Sequence, residues 1–320
     1  MQKLPIQELV PSIVTSLLRE RRLVLQAPPG TGKSTRVPPA LLDSVDPQKE
    51  ILVAEPRRIA ARLLANRVAS ELGEQVGERV GYRVRFEDAS GPNTRLFYVT
   101  SGVLLRRLAS DPTLANVGCV IIDEFHERHL DTDLALALIL RAQKLTRPDL
   151  MVIVMSATLQ GERLQQLMGG CPFIRSEEVL RPLIIEHADK IDDRPLAKQV
   201  ASGVKSLLTQ VPSGDLLVFL PGAGEIRRAK EALETYASNI QFDVVSLHGD
   251  MPLREQAAVL QPSLRRKVVL CTNVAESSIT VPGVTGVVDS GLCHSATCSD
   301  RKSTRLNSSH SRASRMPSSA

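Results

Sequence analysis

The chain has 320 residues, 42% of them hydrophobic and 23% charged, with a formal net charge of +5. That length corresponds to about two ordinary domains, and the balance excludes both a chain too polar to bury a core and a membrane span, which needs about 18 successive apolar residues. The charge is uneven: from Cys293 to Ala320 five basic residues and one acid give +4, leaving +1 for residues 1–292, so the basic pI does not by itself mark a nucleic-acid surface.

Met1–Leu9 lack the basic segment and apolar run of a secretory leader. The five cysteines (Cys119, Cys171, Cys271, Cys293, Cys298) are an odd set without CxxC spacing. Cys119 and Cys271 lie in apolar runs, where a small buried hydrophobe is expected. These features imply a reducing cytoplasm, no disulfide framework and no zinc.

Leu23–Gln26 is the first short apolar run, and Ala27-Pro28-Pro29-Gly30-Thr31-Gly32-Lys33-Ser34-Thr35 follows it directly, ahead of a helix-compatible segment. Strand, glycine-rich loop and helix are the context a P-loop requires. Gly30 and Gly32 let backbone N–H groups wrap phosphates at a helix N-terminus. Lys33 is placed to reach the β and γ phosphates, and the Ser34 hydroxyl to bind Mg²⁺. A chance glycine-rich turn is the competing reading, and the strand before it argues against that. Ala27 stands where the pattern has its first glycine, and is small enough to fit.

Ile51–Glu55 and Leu96–Thr100 read as further strands, and Pro56–Gly73 between them has helical periodicity. Val117–Ile122 is the next strand. It ends in Asp123 and Glu124, which places two carboxylates at the carboxyl end of a parallel strand, where open α/β sheets bind ligands. Asp123 is expected to hold Mg²⁺ and Glu124 to polarise an attacking water. His126 alone would read as a solvated loop histidine; beside these acids it is expected to sense the γ-phosphate side and connect it to the second domain. Met151–Met155 is followed by Ser156-Ala157-Thr158, a weak turn-like signal whose value is its place, one strand after the acids.

The pattern restarts with Leu216–Leu220, Val244–Leu247, Val268–Thr272 and Val284–Asp289. Repeated β–α alternation predicts parallel sheets covered by helices. The expected organisation is a first domain over residues 1–175, a link over 176–195 within the charged, proline-containing stretch from Cys171, and a second domain over 196–292. Residues 293–320, rich in Ser and Arg without apolar periodicity, are expected to be disordered; a segment foreign to the fold is favoured over the alternative of a flexible nucleic-acid arm.

In order, the P-loop, Asp123-Glu124-Phe125-His126 and Ser156-Ala157-Thr158 resemble motifs I, II and III of superfamily 2 helicases. Glu55–Ala61 (EPRRIAA) resembles motif Ia of their DEAH-box group, Gly81–Asp88 (GYRVRFED) the stretch that follows, and Thr100–Arg106 (TSGVLLR) motif Ib. Val218–Gly222 with Glu225-Ile226 resembles motif IV, Leu247-His248-Gly249 the next element, and Thr272–Thr280 (TNVAESSIT) motif V, followed by Val287–Gly291. Within the DEAH-box family of ATP-dependent RNA helicases the resemblance is to the bacterial HrpB type, over about Leu4–Leu292. It implies two RecA-like P-loop NTPase domains, ATP and Mg²⁺ as cofactors, and single-stranded or structured RNA as partner. Arg57, Arg58, Thr100, Thr272 and Asn273 would contact the sugar–phosphate backbone, Ser156 and Thr158 would couple hydrolysis to it, and Arg67 would stack on adenine, although an exposed helical arginine fits equally. Arg57 and Arg58 as mere solvated helix-start charges are disfavoured by the macrodipole. With nine Phe and Tyr and no Trp, composition argues against a base-stacking platform.

Two departures stand out. Phe125 replaces the Ala of DEAH, between the chemical residues. No QRxGRxGR-like motif VI, whose arginines would reach the γ-phosphate, follows Val287–Gly291, so the second domain is expected to be incomplete with an open sheet edge. Three other readings stay open: an AAA-type protein-remodelling ATPase, which would lack the PRRIAA, TSGVLLR and TNVAESSIT segments; a fragment that binds ATP and nucleic acid with little turnover; and DNA as the track, since backbone-reading motifs do not sense the 2′-OH.

Overall fold

The computed structural model describes residues 4–158, 161–176, 184–187, 192–240, 242–249, 251–261, 263–273, 281, 283–295 and 312–315. The chain divides into two units, Met1–Pro182 and Leu183–Ala320. The division lies inside the stretch 176–195.

The first unit is built on eight strands: β1 (Arg22–Gln26), β2 (Glu50–Glu55), β3 (Val80–Val84), β4 (Glu87–Ala89), β5 (Leu96–Thr100), β6 (Val117–Ile122), β7 (Met151–Ser156) and β8 (Phe173–Arg175). Their order in the sheet is β4-β3-β5-β2-β6-β7-β1-β8, parallel throughout except for the β3–β4 hairpin. The central strands β5 and β6 are buried at every position, which is why their sequences are continuous Val/Ile/Leu-rich runs rather than alternating ones. Six helices cover the sheet: α1 (Val10–Glu20), α2 (Lys33–Ala40), α3 (Arg58–Glu71), α4 (Ser101–Ser110), α5 (Leu130–Leu145) and α6 (Gly161–Leu167). Alternate strand residues feed two cores. Leu23, Leu25, Ile51 and Val53 pack with α1–α3, whereas Val24, Leu52, Val120 and Ile122 pack with α4–α6. Each such side chain contributes about 1.5–3 kcal/mol on burial. Cys119 in β6 is fully buried, as its apolar context predicts.

Three strands were not legible as strands in the sequence. β3 and β4 span Val80–Ala89, around the Gly81–Asp88 stretch, whose alternation is broken by a tight turn at Phe86 (φ 68°). A Cβ on Gly81 would sit 2.6 Å from the Ala89 carbonyl oxygen, so glycine is what lets the hairpin close. β8 is only three residues long and pairs with β1 at the sheet edge.

The second unit has a four-stranded parallel sheet: β9 (Asp215–Phe219), β10 (Phe242–Leu247), β11 (Arg266–Cys271) and β12 (Val284–Asp289), ordered β10-β11-β9-β12. Helices α7 (Leu196–Gln210), α8 (Ala223–Ile240) and α9 (Leu253–Val259) accompany it. Val200, Val204, Leu216, Val218, Ile226, Leu233, Val268 and Leu270 form its core, and Cys271 is fully buried in β11. Among the described residues β12 is an edge strand. The tail departs from expectation at seven residues: β13 (Leu292–Ser295), which begins one residue before it, and β14 (Arg312–Arg315) pair antiparallel, Leu292 opposite Arg315. Backbone hydrogen bonding of this kind needs no apolar periodicity, so composition does not announce it. No helix of the described residues is long and apolar enough to cross a membrane.

Candidate active site

Five neighbouring strands, β5-β2-β6-β7-β1, end on the same side of the first sheet, and their carboxyl ends carry Thr100, Glu55, Asp123, Ser156 and Ala27 in that spatial order. Segments far apart in sequence thereby converge at the crevice where open α/β sheets bind ligands.

The loop Ala27–Gly32 turns sharply into α2. Gly30 (φ 76°) and Gly32 (φ 92°) are left-handed, and a Cβ on Gly32 would meet the Leu4 side chain at 2.6 Å. Gly32 is the N-cap of α2, so Lys33 and Ser34 open the helix with their N–H groups free of intrahelical partners. The Ala27 N–H donates to the Ser156 carbonyl at 3.0 Å, fastening the loop to the end of β7. Pro38 lies inside α2 and has no N–H, so the Ser34 carbonyl lacks its usual helical donor. The hydroxyl of Tyr98, fully buried on β5, donates to that carbonyl at 2.8 Å.

Lys33 and Ser34 meet the acids at the end of β6. Lys33 Nζ donates to Glu124 Oε1 at 2.9 Å, with both side chains buried. Ser34 Oγ donates to Asp123 Oδ2, and the Glu124 N–H donates to Asp123 Oδ1 at 2.8 Å. A serine hydroxyl and a carboxylate converging at a helix N-terminus are hard oxygen donors of the kind Mg²⁺ takes. Glu124 itself is left-handed (φ 49°), a conformation that a non-glycine residue holds only when its surroundings impose it.

The charges here are strongly coupled. Burial opposes the charge on Lys33, but Asp123, Glu124 and Glu55 around it prevail and hold its pKa above the ordinary lysine value. Burial, then Asp123, pushes Glu124 up to about 7 against the pull of Lys33. Glu55, at the end of β2, is 1% exposed; burial first, then Asp123 and Glu124, raises it well above the carboxylate range. Burial and the surrounding acids thus favour the protonated form of its carboxyl, which sits beside Asp123. Sequence reading placed Glu55 only at a strand end. Its position beside Asp123 follows from β2 neighbouring β6.

His126 lies between the acids and β7. Its Nδ1 accepts the Ala157 N–H at 3.4 Å and lies 3.3 Å from Glu124 Oε2. Burial, then nearby Lys33, lowers its pKa, so the ring is neutral with Nδ1 as acceptor. The Thr158 N–H reaches Ser156 Oγ at 3.4 Å. Ser156 is buried and Thr158 exposed. Phe125 is buried in the core under the Arg128 guanidinium, 5.3 Å from its ring centre, so the larger residue is accommodated below the turn and not in the site.

The residues expected to meet nucleic acid are placed as follows. Arg57 is the N-cap of α3 and lies 3.6 Å from Glu127. Arg58 is exposed and donates to the Arg85 carbonyl at 3.1 Å. Thr100 is nearly buried as the N-cap of α4. Arg67 is exposed and bonded to Glu71 at 2.6 Å. In the second unit Thr272 and Asn273 follow β11, the Thr272 N–H donating to the Leu247 carbonyl at 3.3 Å; the rest of that motif, 274–280, is outside the described residues. Phe86 is 89% exposed at the β3–β4 turn, with the Arg85 guanidinium 4.8 Å from its ring centre.

The family profile described as DEAD/DEAH box helicase matches residues 5–167, and that of the helicase conserved C-terminal domain matches 200–316, reaching past Leu292. The chain is 44% identical over 293 residues to the ATP-dependent RNA helicase HrpB of Escherichia coli, covering 90% of this chain and 36% of that protein. It is 36% identical over 302 residues to a human protein described as the probable ATP-dependent RNA helicase DHX34, covering 90% of this chain and 26% of that one. Crystal structures of the E. coli HrpB helicase superpose with TM-scores of 0.84 and 0.76 at 42% and 41% identity, over 91% and 92% of this chain and 37% and 36% of those chains. The chain thus spans about a third of the length of the first of these relatives and less of the second.

Proposed function

The chain belongs to the DEAD/DEAH box helicase family, and on that premise we propose that it couples Mg-ATP hydrolysis to movement along, or remodelling of, RNA in the cytoplasm. The observation that carries this reading is the meeting of Lys33 and Ser34 with Glu124 and Asp123 at one strand-end crevice. The N–H groups of the loop and α2 cradle the phosphates, and Lys33 exchanges Glu124 for the β and γ phosphate oxygens. Ser34 and Asp123 hold Mg²⁺, which when bound neutralises charge on the phosphates. Glu124, released from Lys33, orients the attacking water. His126 accepts the Ala157 N–H and lies against Glu124, so a change at the acids is felt through it by Ser156 and Thr158 at the end of β7. Arg57, Arg58 and Thr100 in the first unit and Thr272 and Asn273 in the second contact the sugar–phosphate backbone, which carries affinity without sequence information. Phe86 offers a face on which a base stacks.

The test is steady-state ATP hydrolysis with and without single-stranded RNA, with Glu124→Gln as the blank. RNA-stimulated turnover that vanishes in the variant is expected. No turnover above the blank, with ATP binding intact, would identify a chain that binds without hydrolysing. Single-stranded DNA stimulating as well as RNA would remove the preference for RNA.

A further inference from the structure

The 3-10 turn Phe125–Glu127 is bracketed by two left-handed residues, Glu124 (φ 49°) and Arg128 (φ 55°). Neither is glycine, so the turn is held by its contacts. Phe125 anchors it in the core, and Arg128 donates to Asp133 at 2.7 Å. At its far end Glu127 Oε2 lies 2.7 Å from His129 Nε2 and 3.6 Å from the Arg57 guanidinium. The Glu127 side chain is 10% exposed and that of Arg57 23%. The pair joins two strand ends: Arg57 follows β2 and caps α3, whereas Glu127 follows β6 and shares its turn with Glu124.

We propose that Glu127 is a positioning residue that ties the nucleic-acid-facing Arg57 to the turn carrying Glu124, so that phosphate binding at Arg57 is transmitted to the hydrolytic acid. This rests on the RNA-stimulated hydrolysis proposed above. A guanidinium presents a planar fork that a carboxylate and a phosphate both match. Backbone phosphate arriving at Arg57 competes with Glu127 for that fork. As Arg57 turns to the phosphate, Glu127 loses part of its cationic environment, and the tether on the turn that begins at Glu124 is released. The coupling is reciprocal: whatever moves Glu124 also alters how firmly Arg57 is held for nucleic acid.

The experiment measures ATP turnover by the full chain with saturating oligouridine and without it, and reads the ratio of the two. A purely structural role for Glu127 lowers both rates together and leaves the ratio unmoved. The expected result is a ratio lower by about fivefold or more in Glu127→Gln. Glu127→Asp, which keeps the charge but draws it back from Arg57, gives an intermediate ratio and serves as the probe if the glutamine variant does not fold. Arg57→Gln combined with Glu127→Gln is no worse than Arg57→Gln alone, because both act through one contact. An unchanged ratio in both Glu127 variants, or additive losses in the double variant, overturns the tether while leaving RNA-stimulated hydrolysis standing. A parent chain that RNA does not stimulate overturns both.

Discussion

Lys33 and Glu124 form a buried ion pair at 2.9 Å, although 91 residues separate them in sequence. The lysine that would hold phosphate and the carboxylate that would orient water each compensate the other's charge. On the function proposed above, phosphate oxygens entering the loop would replace the carboxylate as the partner of Lys33, so binding and release of the acid would be one event.

Removing the lysine tests that relationship. Lys33→Ala leaves Glu124 buried beside Asp123 without its cation, and truncating one partner of a buried pair costs about 3–5 kcal/mol. The cost is largest at alkaline pH and shrinks toward pH 6 as Glu124 takes a proton. Urea unfolding at the two pH values measures it, and ATP hydrolysis of the variant falls to the blank. A variant as stable and active as the parent at alkaline pH would refute the pairing.

The Glu124 carboxyl gives a pH dependence with a defined sign. Its pKa of about 7 in the folded chain exceeds the ordinary 4.5. Stability from this group is therefore complete below the unfolded value and is lost as pH rises through the folded one. Glu124→Gln resembles the protonated form and does not titrate. Relative to the parent it gains up to about 3 kcal/mol between pH 5 and pH 8. Guanidinium unfolding at both pH values provides the check; a constant offset between the two proteins would contradict it.

Glu55 is predicted to tolerate a change that an ionised carboxylate would not. Burial and the acids around it favour its protonated form, and the carboxamide of Glu55→Gln matches that form in size and donates as a protonated carboxyl does. Melting temperature and ATP turnover are expected to stay close to the parent's, whereas Glu55→Ala opens a cavity and leaves Asp123 without that donor, a loss of about 1–3 kcal/mol. Thermal scans of the two variants separate these cases, and equal losses in both would show that the carboxyl is charged.

Tyr98 supplies the donor that Pro38 cannot. In Tyr98→Phe the Ser34 carbonyl is left unsatisfied in the interior, at about 1–3 kcal/mol. Because Ser34 also carries the hydroxyl that meets Asp123, the KM for Mg-ATP is expected to rise more than kcat falls. Steady-state kinetics resolves the two. A drop in kcat alone would place the effect elsewhere than on the loop.

The sequence by itself determined the parts of this protein that depend on local order. Continuous apolar runs marked β1, β2, β5, β6 and β7, and the glycines, prolines and lysine after β1 specified a P-loop-like turn into a helix. Asp123, Glu124 and Ser156 could be placed at strand ends because an apolar run stops where they begin. Tertiary structure decided what those ends face. Strand order is a choice among nonlocal pairings that periodicity does not encode, and only the neighbouring of β2, β6 and β7 brings Glu55 to Asp123 and His126 to Ala157. The same holds for Glu127 beside Arg57, for Tyr98 beneath Ser34, and for Phe86 thrown outward by a hairpin too short to show alternation. The pKa shifts of Lys33, Glu55 and Glu124 come from burial and from neighbours at the ends of two strands, β2 and β6, and the start of α2. They came into being only when the sheet closed around them, because burial and proximity, not residue type, set the cost of each charge.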